Sequence, residues 1–241
     1  MHTLTFLLLV VLCLQGQVLE AQVAVEQSFR TLGVRRAAPK LFYQLGSKEV
    51  PLFAGDAALS ASYQAPKSGK LELYCYVPAT DPELPPVKVT VAEATLPSEG
   101  ENLVLIASIQ NTNSKQAAPA VALRAVDASI EAHPLNTIRV FNFSKRKIAA
   151  KVGDEFKEIL VGEEAFFAYP EGNKVWVKIA AYEGVDTGWK LRTGGPKAIS
   201  PDKRTIIVLS DAYPTREDPE GLKITLRNVI DNNPPRPLSE R

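Results

Sequence analysis

Residues 71–77 of the sequence are LELYCYV, and residues 174–181 are KVWVKIAA. Apolar side chains recur at every second position in both stretches, and successive side chains of an extended strand point to opposite faces of a sheet. Cys75 therefore falls on the apolar side of the first stretch, as Ile179 does in the second. The pattern predicts two half-buried β-strands with comparable surroundings.

The chain between residues 41 and 229 continues in the same way. Short runs rich in β-branched and aromatic residues recur about every 8–15 residues and are separated by Gly, Pro, Asn and Asp. No amphipathic helical pattern lies between them. This spacing is typical of an all-β protein with antiparallel sandwich or barrel architecture, and it excludes a parallel α/β sheet.

The strand-like runs fall into two sets that match at an offset near 103 residues. The aligned pairs are Leu71 with Val175, Leu73 with Val177, Cys75 with Ile179, Val104 with Ile206, Ile106 with Val208, and Arg124 with Arg227. Upstream, YQLGSK from residue 43 aligns with FNFSKR from residue 141 at a smaller offset. The common order predicts an internal duplication into two tandem domains. Each copy is about 95–100 residues long, the size of one immunoglobulin-like antiparallel β-sandwich.

The predicted organisation is a signal peptide over 1–21, a leader over 22–38, β-sandwich domains over 39–133 and 134–231, and a disordered tail over 232–241. The boundary falls at His133-Pro134, because a residue that precedes proline is restricted to extended conformations. No long linker separates the two domains, so we expect them to pack against each other.

The N-terminal stretch has the features of an export signal. Leu4–Leu14 is an unbroken run of apolar and small residues, followed by polar residues and a cleavage position after Ala21. A membrane-spanning helix needs about 20 apolar residues, roughly twice the length of this run. The sequence therefore predicts an extracytoplasmic protein, periplasmic or secreted, without a transmembrane segment once the signal is removed.

Charge and composition exclude several classes of function. The chain has 28 Lys and Arg against 27 Asp and Glu, a net charge of +1, so it lacks the positive field of a nucleic-acid-binding protein. After signal removal, His133 and Cys75 are the single histidine and cysteine. We therefore expect no intramolecular disulfide, no metal, no cofactor and no enzymatic activity, because zinc or copper sites and nucleophile–base pairs need more such side chains. Cys75 is predicted to be a buried small hydrophobe.

Acidic residues leave one catalytic alternative open, a carboxylate-based hydrolase that acts on an extracytoplasmic glycan. Such an enzyme needs two acids that face one cleft. The densest acidic group consists of Asp154, Glu155, Glu158, Glu163 and Glu164. Lys151 and Lys157 are interspersed with these acids, which favours a solvated hairpin end instead.

The polar sides of the two quoted strands supply the candidate ligand-facing residues, which are Tyr74, Tyr76, Lys174, Trp176 and Lys178. Exposed aromatic rings could stack on a sugar or contact an extended partner chain. The alternative is that a second sheet or the companion domain covers them. A formal glycosylation sequon, Asn142-Phe143-Ser144, lies inside a predicted strand and is discounted for that reason.

The stretches RVFNFSKRKIAAKVGDE (139–155) and ISPDKRTIIVLS (199–210), together with the signal and the tandem layout, resemble uncharacterised bacterial exported proteins with immunoglobulin-like domains. The chain is also distantly similar to a secreted family of unknown function and to the periplasmic alginate-acetylation accessory proteins. The resemblance implies an extracytoplasmic, non-enzymatic role and supplies no catalytic residues. The leading hypothesis is an exported interaction or structural protein of the cell envelope, with an unidentified envelope protein or polysaccharide as its partner.

Overall fold

The computed structural model describes residues 26–35, 40–109 and 118–235. The predicted signal peptide and residues 236–241 of the predicted tail lie outside the described residues. Strands, turns and irregular segments make up the described part, which contains no helix. Accordingly, it offers no helix of the length and apolar character that crossing a membrane requires.

Eight strands belong to each half of the chain. In the first half they are β1 (Ser28–Gly33), β2 (Leu41–Leu45), β3 (Lys48–Leu52), β4 (Tyr63–Gln64), β5 (Lys70–Val77), β6 (Val87–Thr95), β7 (Glu101–Ile109) and β8 (Ala120–Asp127). In the second half they are β9 (Thr137–Asn142), β10 (Ile148–Val152), β11 (Glu155–Ile159), β12 (Glu164–Ala168), β13 (Lys174–Tyr182), β14 (Trp189–Ala198), β15 (Arg204–Asp211) and β16 (Ile224–Asp231).

These strands form four sheets of four strands each. We name them the first inner sheet (β4-β1-β7-β8), the first outer sheet (β3-β2-β5-β6), the second inner sheet (β12-β9-β15-β16) and the second outer sheet (β11-β10-β13-β14). Replacing β1–β8 by β9–β16 in order converts the first pair of sheets into the second. The topology is therefore duplicated, and the protein consists of two all-β sandwich domains.

Three hydrophobic clusters set the order of the layers. In the first sandwich, Phe29 and Val104 of the inner sheet pack with Leu41 and Leu73 of the outer sheet. An equivalent core joins the two sheets of the second sandwich. A third cluster lies between the two inner sheets. The molecule is thus a stack of outer, inner, inner and outer sheets, and the two outer sheets each have one face that points away from the stack.

Strand β1 corrects the predicted domain start. Residues 28–33 fall in the predicted leader, yet they form a central strand of the first inner sheet, where Ser28–Gly33 pairs with residues 101–106 of β7. Phe29 and Leu32 of this strand are fully buried. The pairing is parallel, as is that of β9 with β15, while the other ladders are antiparallel. The first sandwich therefore begins before residue 39 and is not purely antiparallel.

The hydrogen-bond registers correct the alignment of the two repeats. The β5–β6 ladder has a bulge at Leu73/Tyr74, where Val91 of β6 is skipped, and the β13–β14 ladder has one at Ile179/Ala180, where Arg192 of β14 is skipped. Leu73 therefore corresponds to Ile179 and not to Val177. Because side chains in a strand repeat with a period of two, a shift of two residues preserves the apolar pattern and escapes detection in the sequence.

Two further alignments are wrong. Phe29 pairs with Asn102 and its equivalent Ile138 pairs with Thr205, so the offset between β7 and β15 is 103 and Val104 corresponds to Ile207. The segment YQLGSK spans the β2–β3 hairpin, whereas FNFSKR includes the end of β9. The hairpin equivalent to β2–β3 is β10–β11. Both have two-residue turns that begin with a left-handed glycine, Gly46 at φ 60° and Gly153 at φ 58°.

The apolar interface between the inner sheets is pseudo-symmetric. Equivalent positions of the two repeats contribute to the same buried cluster, namely Leu32 and Phe141, Leu103 and Ile206, Leu105 and Val208, and Val126 and Val229. This reciprocity is the pattern of an isologous contact. The two domains thus pack against each other through a continuous buried cluster, as the sequence predicted.

Charged residues of both repeats are buried at the same interface. Arg30 forms two hydrogen bonds with the carboxylate of Asp231, at 2.6 and 2.7 Å, and also pairs with Glu101. Arg204 Nε donates to Asp231 at 2.7 Å, while its Nη1 donates to the carbonyl oxygen of Ala128 at 2.7 Å. These bonds fix the second sandwich to the first and to the connecting segment.

Candidate functional site

The structure separates the five candidate residues into two groups. Tyr74 and Tyr76 point outward from β5 of the first outer sheet, and the other three, Lys174, Trp176 and Lys178, point outward from β13 of the second outer sheet. We name these surfaces the first outer face and the second outer face. They lie at opposite ends of the four-layer stack, so the five residues do not form one platform.

The centre of the first outer face is covered by its own side chains, although Tyr76 is 45% exposed. Tyr74 is 2% exposed although it points away from the core, because the Phe42 ring stacks on it at 5.9 Å and the ammonium of Lys88 lies 3.5 Å from its ring centroid. Its hydroxyl donates to Glu49 Oε2 at 2.8 Å, and the hydroxyl of Tyr76 donates to the same oxygen at 2.7 Å. Both tyrosine hydroxyls are thus already occupied.

The ionisation of this cluster follows from those contacts. The hydrogen bond from Tyr76, and then that from Tyr74, lowers the pKa of Glu49 below its usual value. Burial, together with the bond to Glu49, raises the pKa of Tyr74. Around the cluster, Lys70 pairs with Glu93 at 2.6 Å. The first outer face is therefore internally satisfied.

The second outer face exposes apolar side chains instead. Trp176 is 62% exposed, Phe156 is 61% exposed and Leu191 is 66% exposed. Lys174 and Lys178 flank Trp176 on β13, and neither ammonium has an ion pair or hydrogen bond within the described part of the chain. These side chains are therefore free to contact a ligand.

The strand register of the second outer sheet places further residues near Trp176. Lys151 of β10 lies opposite Phe156 on one side and opposite Lys178 on the other. Gly194 of β14 completes this row and leaves it open, since it has no side chain. Lys151 and Phe156 were not among the sequence candidates, although the two-residue Gly-Asp turn between their strands gives the register that pairs them.

A comparison of equivalent positions explains why one face is covered and the other open. Residues Phe42 and Tyr74 pair with each other at the centre of the first outer face, and their equivalents Ala149 and Ala180 pair at the centre of the second. Glu49, which accepts both tyrosine hydroxyls, is replaced by Phe156. The second repeat therefore has small residues where the first has a stacked aromatic pair.

A second aromatic cluster lies farther along β13. The rings of Tyr182 and Trp189 meet edge to face at 5.4 Å between centroids. The ammonium of Lys147 lies 5.5 Å and 5.1 Å from these two ring centroids, and it pairs with Glu158 at 2.9 Å. The second outer face thus has aromatic side chains on both sides of Ala149 and Ala180.

The acids that the hydrolase alternative invokes are dispersed. Glu164 points to the interface between the sandwiches, where it pairs with Arg124 at 2.7 Å and Arg139 at 2.6 Å. Asp154, Glu155 and Glu158 lie around the exposed β10–β11 hairpin, each within 4.0 Å of a lysine, and Glu163 lies in the turn between β11 and β12. Asp154, Glu155, Glu158 and Glu164 thus each have a basic partner.

The remaining titratable candidates are internal. Cys75 packs in the core of the first sandwich, and burial raises the pKa of its thiol. His133 is 1% exposed at the domain junction, where burial and then the charge of Arg204 lower its pKa to about 3. Within the described residues, no three His, Cys, Asp or Glu side chains are grouped in a way that could hold a metal ion.

A cavity of about 330 Å³ lies near the edge of the domain interface, where Arg35, Arg146 and Tyr213 contribute to its walls. Arg146 is engaged with Glu183 at 3.0 Å and with Asp211 at 3.1 Å. Its charge is therefore compensated from within the chain.

Comparison with protein-family models and with curated proteins gives no match to this chain. The function proposed below therefore rests on the residues of this chain and their geometry.

Proposed function

We propose that this protein is an exported, non-catalytic component of the cell envelope, built from two immunoglobulin-like sandwiches, that binds a polysaccharide through the second outer face. One observation motivates the choice of surface. Trp176 is 62% exposed and lies between two lysines with no partner among the described residues, whereas at the centre of the first outer face Tyr74 is 2% exposed because the Phe42 ring stacks on it.

Export is supported by the apolar run of Leu4–Leu14 and the polar segment that follows it. A non-catalytic role is supported by the positions of the chemically capable side chains. Cys75 and His133 are buried, and the acids of the β10–β11 region pair with lysines or arginines. Rigid packing of the sandwiches through the inner sheets suits a module that holds its binding face in a fixed orientation.

The chemistry of the face favours a polysaccharide over a protein. The centres of protein–protein interfaces are depleted in lysine and rich in contiguous apolar surface. On β13, by contrast, Trp176 alternates with Lys174 and Lys178. An aromatic ring gives a sugar ring an apolar surface to stack on, while ammonium groups beside it donate hydrogen bonds to oxygen atoms.

The test compares the mature protein with two alanine variants in binding assays against soluble polysaccharides of several classes and against envelope proteins. Trp176→Ala removes the proposed stacking surface. Phe53→Ala is a matched control, because Phe53 of the first sandwich is an aromatic residue with 65% exposure. We expect Trp176→Ala to weaken polysaccharide binding about tenfold or more and Phe53→Ala to leave it unchanged.

Equal polysaccharide binding by both variants would overturn the assignment of the face. Capture of an envelope protein that depends on Trp176, without polysaccharide binding, would overturn the ligand class. Release of new reducing ends from a bound polysaccharide would overturn the non-catalytic role and revive the hydrolase alternative.

A further inference from the structure

We infer that the polysaccharide bound by the second outer face is anionic, with its acidic groups at Lys174 and Lys178 and its sugar rings on Trp176 and Phe156. This inference rests on the proposed function and adds the chemical class of the ligand. The distribution of charge over the two outer faces, compared position by position, supports it.

The second outer face has a local excess of positive charge. Among the described residues, its outward-pointing bases are Lys147, Lys151, Lys174 and Lys178, and the acids beside them are Glu158, which pairs with Lys147, and Asp154 of the β10–β11 turn, which lies 3.9 Å from Lys151. The first outer face has three bases, Lys40, Lys70 and Lys88, and three acids, Glu49, Glu72 and Glu93. Because the whole chain is nearly neutral, the excess is a property of this face and not of the protein in general.

The lysines of the two faces also differ in their contacts. On the first outer face, Lys70 pairs with Glu93, and the ammonium groups of Lys40 and Lys88 lie over the rings of Phe42 and Tyr74. On the second, Lys147 pairs with Glu158 and Lys151 lies 3.9 Å from Asp154, but Lys174 and Lys178 have no such contact within the described residues. An ammonium without a partner inside the protein is available to an anionic ligand.

Equivalent positions of the two repeats also differ in charge, and the second repeat is the more basic at these positions. Glu72 of the first repeat accepts a hydrogen bond from Thr90 at 2.7 Å, and its equivalent in the second repeat is Lys178. Gln44 is replaced by Lys151 at the equivalent hairpin position. Two positions of the second face are thus basic where the first face has an acid and a neutral amide.

The spacing suits a charged chain. Alternate residues of a strand are about 7 Å apart, so Lys174, Trp176 and Lys178 present an ammonium, a ring and a second ammonium in a line along β13. Neighbouring strands are about 4.8 Å apart, which places Lys151 beside Lys178 and Phe156 beyond it. A polysaccharide with an acidic group on its sugars would meet rings and ammonium groups in alternation.

The experiment uses pairs of polymers that share a backbone and differ in charge. The probes are polygalacturonate and its fully methyl-esterified form, and dextran sulfate and dextran. Binding of the mature protein is measured by calorimetry in about 0.02 M and about 0.5 M salt, since exposed charges are screened at the higher concentration. The two anionic polymers distinguish carboxylate from sulfate as the preferred acidic group.

Two charge-matched variants complete the design. Lys174→Gln/Lys178→Gln removes two charges from the second outer face, and Lys40→Gln/Lys70→Gln removes two from the first. We expect the wild type to bind at least one anionic polymer about tenfold or more tightly than its neutral counterpart, with weaker binding in high salt. The first variant is expected to lose this preference and the second to keep it.

The outcomes separate this inference from the proposed function. Equal binding of neutral and anionic polymers that depends on Trp176 would overturn the anionic class and leave the polysaccharide-binding role intact. An equal loss in both double variants would also overturn the inference, because attraction would then follow total charge and not this face. Binding of none of the polymers, neutral or anionic, would count against the proposed function itself.

Discussion

The carboxylate of Asp231, the last residue of β16, is shared between arginines of the two repeats. Arg30 of β1 binds it with two hydrogen bonds of 2.6 and 2.7 Å, and Arg204 of β15 donates to Oδ2 at 2.7 Å. Asp231 and Arg204 are each 1% exposed and Arg30 is 7% exposed. One carboxylate therefore neutralises buried charge from both sandwiches and holds the two outer faces in a fixed relation.

Replacement of Asp231 by alanine is expected to lower the free energy of unfolding by about 3–5 kcal/mol, because two buried arginines lose their shared partner. The measurement is equilibrium unfolding in urea. Glu93→Ala is the control, since Glu93 pairs with Lys70 at the exposed surface and its loss is expected to cost about 0–1 kcal/mol. Equal losses in the two variants would show that the buried arginines find other partners.

Acidification is expected to destabilise the protein through His133. Its pKa is about 3 in the folded protein against an ordinary value of 6.5, owing first to burial and then to Arg204 and Arg139, with Asp231 opposing. As the pH falls from about 6.5 to about 3, the unfolded chain takes up a proton that the folded protein excludes. The stability therefore decreases by up to about 1.4 kcal/mol per pH unit in this window.

A His133→Gln variant isolates this contribution. Both proteins keep Asp231, whose pKa is lowered, and Glu101, whose pKa is raised by burial, so the difference in unfolding free energy between variant and wild type reports on the histidine. We expect the variant to gain stability relative to the wild type as the pH falls from 6.5 towards 4. A difference that stays constant with pH would contradict a neutral buried His133.

The side chain of Asn142 is expected to be important for folding. It is fully buried, and its Nδ2 donates to the carbonyl oxygens of Arg146, Ile159 and Leu160 at 2.8, 3.0 and 3.1 Å. Asn142→Ala removes a buried donor from these three carbonyls, of which that of Leu160 keeps a bond from the Glu163 N–H and that of Arg146 keeps one from the Ser144 hydroxyl. We expect a cost of about 1–3 kcal/mol in the free energy of unfolding. The same burial makes this sequon asparagine inaccessible for glycosylation in the folded protein.

Asn173→Ala is the matched control for Asn142, because Asn173 is exposed and is expected to change the stability by less than about 0.5 kcal/mol. Both variants are compared by thermal and urea unfolding. A stable Asn142→Ala protein would mean that water or another donor satisfies the three carbonyls.

The thiol of Cys75 is expected to be inert in the folded protein. It is 5% exposed in the core of the first sandwich, and burial raises its pKa, so little thiolate is available. A colorimetric disulfide reagent should therefore react at the rate of unfolding in native buffer and immediately in denaturant. Rapid reaction in native buffer would place Cys75 at an accessible site.

Local alternation was sufficient to predict the outward direction of Tyr74, Tyr76 and Trp176, because a strand side chain points to one face or the other. Alternation could not predict exposure. Tyr74 is covered because Phe42 and Lys88 lie against it, whereas Trp176 lies opposite Pro196 of β14 and contacts no other ring within the described residues. Contacts across strands decide exposure, and they depend on register.

Register also explains which repeat alignments failed. A two-residue shift between β5 and β13 keeps the apolar pattern unchanged, so LELYCYV and VWVKIAA cannot reveal it. Strand β15 is buried on both faces, with Ile207 in the second core and Ile206 in the domain interface. Its apolar run is continuous, so the sequence does not show which side chains point to which face. The predicted alignment of β15 with β7 was therefore wrong by one residue.

The sequence by itself determined the all-β class, the duplication and most of the strands, because these follow from alternation and turn residues within short stretches of chain. Only the tertiary structure showed that β1 belongs to the first sandwich, that the inner sheets join the repeats through Asp231, and that one outer face is closed while the other is open. The physical reason is that pairing, burial and charge compensation depend on residues about 30 to 200 positions apart, which a local pattern does not specify.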